Sequence, residues 1–65
     1  MKYTATVSYP RNPDQRPEVV TADTIEAAEE AAIAQSAVNV TRFVRVDDQR
    51  MRTVKGQYTL GPVRP

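Results

Sequence analysis

The chain has 65 residues, with nine Lys or Arg, eight Asp or Glu, and no Cys, His or Trp. That length allows one small domain, and a domain of this size buries only about 60% of the surface its unfolded chain exposes. The missing residue types exclude disulfides, thiolate or imidazole metal sites, and every catalytic triad built on histidine.

The apolar residues are mostly Val and Ala, and the two are segregated. Seven of the eight Ala lie within residues 22–37, as a helix prefers, while the Val cluster in short runs outside it, as strands prefer. The net charge of +1 is also segregated. Residues 1–40 carry three bases and six acids, for −3; residues 41–65 carry six bases and two acids, for +4. No apolar run approaches the length of a membrane span. The start Met1-Lys2-Tyr3-Thr4 lacks an apolar stretch, so no secretory signal and a cytoplasmic location are expected.

Taken in chain order, Lys2–Tyr9 alternates with period two. Tyr3, Ala5, Val7 and Tyr9 point one way, Lys2, Thr4, Thr6 and Ser8 the other, which predicts a half-buried strand. Residues 10–17 (PRNPDQRP) carry three prolines, which interrupt a sheet and predict a stiff hairpin loop. Glu18–Ala22 reads as a second strand. Asp23 or Thr24 can cap a helix that begins at once, with Glu26 placed to complete a capping box. The helix is expected to reach Ala37 or Val38, burying a face of Ala27, Ala28, Ala31, Ala34 and Val38 with Ile25 and Ala32 at its margin, and exposing Glu26, Glu29 and Glu30.

Val40–Asp47 predicts a third strand, whose core face carries Val40, Arg42, Val44 and Val46 and whose outer face carries Thr41, Phe43, Arg45 and Asp47. Arg50–Val54 predicts a fourth strand, Lys55-Gly56 a tight turn, and Gln57–Leu60 a short fifth strand. Residues 61–65 are expected to form a frayed tail. The reading is a single α+β domain over residues 1–65: an antiparallel sheet of four or five strands with one helix on one face. The expected core is Tyr3, Ala5, Val7, Val20, Ile25, Ala28, Ala31, Val38, Val44, Val46, Val54 and Leu60.

The carboxylates belong to loops, turns and a helix surface, and neither Ser8 nor Ser36 has a base beside it, so the expectation is a protein without catalytic function. Asp47-Asp48 supplies too few oxygens for Mg²⁺ or Ca²⁺ and reads as a solvated turn; no metal and no cofactor is expected. The basic strands are the candidate working surface. Arg42, Phe43, Arg45, Arg50, Arg52 and Lys55 place arginines around an aromatic, a composition suited to a protein interface or to nucleic acid. Phe43 and Arg45 should share the uncovered face with Lys2, Thr4 and Thr6 where the two strands are neighbours. A second candidate contact is the helix face bearing Glu26, Glu29, Glu30 and Ile33.

The run EVVTADTIEAAEEAAIAQSAVNVTRFVRV (residues 18–46) after the strand MKYTATVSY resembles the strand, capped helix, strand rhythm of very small phage-encoded ββαββ proteins. Among these it looks most like the anti-CRISPR inhibitors of type I-F surveillance complexes. The resemblance implies a non-catalytic inhibitor that docks on a bacterial protein or ribonucleoprotein defence complex. The alternatives are a nucleic-acid-binding module using the basic strands, and an assembly subunit that homodimerises through an edge strand. No membrane partner is expected.

Overall fold

The computed structural model describes residues 1–63. It contains β1 (Tyr3–Ser8), β2 (Glu18–Ala22), α1 (Ile25–Gln35), β3 (Arg42–Asp48) and β4 (Thr53–Leu60). The strands form one antiparallel sheet in the order β2-β1-β3-β4, and α1 packs on one face of it, over β1 and β2 and to a lesser extent β3. This is the α+β architecture expected, with four strands.

The alternating strand β1 is central. Its residues Ala5, Val7 and the following Tyr9 are buried beneath the helix, against Val44 and Val46 of β3 and Ala28 and Ala32 of α1. Tyr3, Val20, Ile25, Ile33, Tyr58 and Leu60 close the margins of this core. Val38 and Val54 were expected inside but are 52% and 41% exposed. Val38 lies beyond the helix, and Val54 falls where β4 loses register with β3, so neither has a core to point into.

Thr24 is the helix cap: its side chain accepts the Ala27 N–H at 3.0 Å. Asp23, the other candidate, instead forms an ion pair with Lys2 at 2.6 Å. The helix stops at Gln35, short of the expected end. The Ser36 N–H and hydroxyl both donate to the Ile33 carbonyl, and the next donor, Ala37 N–H, goes to the Tyr9 hydroxyl at 3.1 Å. The residue that follows β1 thus takes the hydrogen bond that would have continued the helix. Ala28 and Ala32 are buried and Ile25 half-buried, with Ala27 and Ala34 exposed, so the helix is turned from the expected face toward its Ile25–Ala32 margin. Five alanines spread around α1 give its sequence little preference for one face.

The expected turn at Lys55-Gly56 and the expected fifth strand do not occur; β4 runs unbroken through both residues. The chain reverses earlier. The Asp48 carboxylate accepts the N–H groups of Arg50 at 2.9 Å and Arg52 at 3.0 Å, and Met51 takes the left-handed conformation with φ 65°. Gly56 lies instead in a register shift opposite the stretch between Val44 and Val46. The tail is held as far as Val63: Val63 N–H donates to the Val38 carbonyl at 2.6 Å. Residues 64 and 65 of the expected frayed segment lie outside the described residues. Among those described, no helix is long and apolar enough to cross a membrane.

Candidate interaction surface

The helix covers one face of the sheet and leaves the other open. Strands β1 and β3 are neighbours, with Thr6 opposite Arg45 and Ser8 opposite Phe43. Because Val44 and Val46 point to the core, Phe43, Arg45 and Asp47 point away from it. The open face therefore carries Thr4, Thr6 and Ser8 on β1, Val19 and Thr21 on β2, and Gln57 and Thr59 on β4 around a central Phe43 and Arg45. The expected sharing of this face by Phe43, Arg45, Thr4 and Thr6 is what the register produces, while Lys2 precedes β1 and pairs with Asp23. A shallow concavity of about 200 Å³ is lined by Thr6, Ser8, Phe43, Arg45 and Gln57.

The electrostatics of this face differ from those of a basic patch. Arg45 Nε lies 3.2 Å from the Asp47 carboxylate, which is itself buried and accepts the Thr53 hydroxyl at 2.9 Å. The aspartate pairs with this guanidinium, whose side chain stays 47% exposed, and offsets its charge on the face that also carries Phe43. What remains is a hydroxyl-rich surface with one half-buried aromatic and one carboxylate-paired guanidinium, the residue types that anchor protein interfaces.

The other basic residues separate from this pair. Arg42 is no surface contact: it is 3% exposed, donates to Ser36 Oγ at 3.0 Å and to the Gly61 carbonyl at 3.1 Å, and ties the tail to the end of the helix. Its position on the core face of β3 places it there. Lys55 also lies on the helix side. Its ammonium meets Glu29 at 2.7 Å and stands 5.2 Å from the centre of the Tyr58 ring, whose hydroxyl also donates to Glu29. Arg50 and Arg52 are exposed at the β3–β4 turn, beside Met1, Gln49 and the Asp48 that closes the turn, and form a separate basic tip.

The acidic helix face is likewise divided. Glu29 is engaged by Lys55 and Tyr58, and Ile33 packs against the core, so neither stands free for a partner as expected. Glu26 and Glu30 remain exposed. The hydrogen bond from Lys55, and then that from Tyr58, hold the Glu29 carboxyl below its ordinary pKa. Burial, and then the adjacent Glu29, push the Tyr58 hydroxyl up to about 12.

Asp47 and Asp48 serve the fold: one holds Arg45 and Thr53, the other the turn. Gln57 is the surface residue the sequence concealed, because the Lys55-Gly56 pair reads as a turn that would end the strand before it. Ser8 was visible in the alternation of β1.

The fold and its surface define a small α+β domain with an uncovered, hydroxyl-rich sheet face centred on an aromatic and a paired arginine. Comparison with protein-family models, curated proteins and solved structures finds no match.

Proposed function

We propose that the chain is a small non-catalytic, phage-type inhibitor that acts in the bacterial cytoplasm by docking its open sheet face onto a protein or ribonucleoprotein defence complex. The observation that carries this reading is the Phe43–Arg45–Asp47 constellation: an aromatic beside a guanidinium held by a buried carboxylate, on a face that the helix leaves free. A side chain already fixed in place loses less conformational entropy on binding. The paired charge favours protein over nucleic acid, since phosphate binding draws on unneutralised cations. The type I-F surveillance complex is the target suggested by the resemblance of residues 18–46.

The test is a plaque assay in bacteria whose type I-F system targets the challenging phage. Expression of the chain is expected to restore plaque formation, and expression of Phe43→Ala at equal level is expected not to. Full interference in the presence of the wild-type chain would overturn the assignment to this target.

A further inference from the structure

The two edges of the sheet are not alike. Strand β4 carries the devices that discourage pairing: two register shifts against β3, a glycine at Gly56 and a lysine at Lys55. Strand β2 carries none of them. All five of its residues pair in unbroken register with β1, it contains neither Pro nor Lys, and Val19 is 61% exposed. Its free side presents unpaired backbone groups.

We infer that β2 is a homodimer edge, pairing antiparallel with β2 of a second copy about a two-fold axis at Val20. The occupant is another copy of this chain because the register sets complementary groups together. With Val20 opposite its own counterpart, Val19 meets Thr21 and Glu18 meets Ala22. Continued past the strand ends, the same register carries Arg16 of one chain to Thr24 of the other, beside its Asp23, where it would join Lys2, already 2.6 Å from that carboxylate. Arg16 is exposed and has no carboxylate partner among the described residues, and the two-fold axis forms the pair twice.

The helix leaves room for this arrangement. A two-fold axis perpendicular to the joined sheet places both helices on one face, side by side. Glu29 faces β4 and Ala28 and Ala32 face the sheet, so helical spacing directs Ala27, Ala31 and Ala34 toward the β2 edge. That flank offers neither charge nor bulk against the second helix.

The absence of cysteine makes a direct test available. Val20→Cys under mild oxidation is expected to give a disulfide-linked dimer, while Val54→Cys on the β4 edge stays monomeric. Light scattering of the unmodified chain at rising concentration is expected to approach twice the 7.3 kDa of one copy. Val19→Lys, a change at an exposed position, should leave the circular dichroism unchanged and hold the mass at that of one chain. A single-chain mass at every concentration, with no Val20→Cys cross-link, overturns the inference. Cross-linking through Val54→Cys in place of Val20→Cys does so too.

Discussion

Arg42 Nη1 donates to Ser36 Oγ at 3.0 Å, across only six residues, and this contact joins the start of β3 to the end of α1. The same guanidinium reaches the Gly61 carbonyl on its other side, so one buried cation fastens helix, sheet and tail together. Its site suits a cation, because the last carbonyls of a helix carry the negative end of its dipole. Its Nε has no hydrogen-bond partner among the described residues.

Arg42→Ala is therefore expected to destabilise the fold by about 3 kcal/mol, through a cavity and two polar groups left without their donor. Arg42→Met, which fills the space and removes the unpaired Nε, should cost clearly less, since buried charges are often replaceable by apolar groups of similar volume. Urea denaturation of both variants checks the order. Equal losses would show that volume has no part in the effect.

The left-handed Met51 is the second place where stability can be moved. A side chain at φ 65° is strained by roughly 1 kcal/mol relative to glycine. Met51 is 79% exposed and contributes little to packing. Met51→Gly is expected to raise stability by about 0.5–1 kcal/mol, and Met51→Val to lower it, as read by thermal unfolding.

The Glu29 cluster contributes to the pH response at both ends. A carboxyl whose folded pKa lies below its unfolded value stabilises the fold above the unfolded pKa of 4.5, and that contribution is lost as pH falls through the folded value. Tyr58 acts at the other extreme. Its hydroxyl holds its proton more tightly when folded, so stability falls as pH rises from the ordinary value of 10.0 toward about 12. Glu29→Gln is expected to flatten the acid limb of the stability curve. Tyr58→Phe should flatten the alkaline limb, both measured by denaturant midpoint against pH.

Much of this organisation was legible in the sequence, and the failures share a cause. The alternation of Lys2–Tyr9 located β1 and its two faces, and the EVVTA run located β2 to the residue. The Asp23-Thr24-Ile25-Glu26 start located the helix entry but left open which residue caps it; Lys2 decides this by claiming Asp23. The misread positions are those whose local signals were overruled from a distance. Lys55-Gly56 has the composition of a turn, but Asp48 closes one seven residues earlier and leaves Gly56 within a strand. The helix end was set by the Tyr9 hydroxyl, 28 residues away from Ala37. Arg42 falls on the core face by periodicity, yet its charge drew it into the expected surface set. For the open face, Phe43, Arg45, Thr4 and Thr6 were legible by strand parity alone. The neutralising role of Asp47 was not, because it depends on Asp47 being buried beneath Thr53 and Arg45.

The proposed docking face is tested most directly by measuring affinity for purified type I-F surveillance complex at low and high salt, with wild type, Phe43→Ala and Arg50→Ala/Arg52→Ala. Phe43→Ala should weaken binding at least tenfold, about 1.4 kcal/mol or more, while retaining the native circular dichroism. The double arginine variant should have a smaller effect because those residues lie at a separate tip, and the change in salt a smaller effect because Arg45 is already paired with Asp47. Wild-type affinity in Phe43→Ala, with binding abolished by salt or by loss of Arg50 and Arg52, would contradict the open face and place recognition at the basic tip.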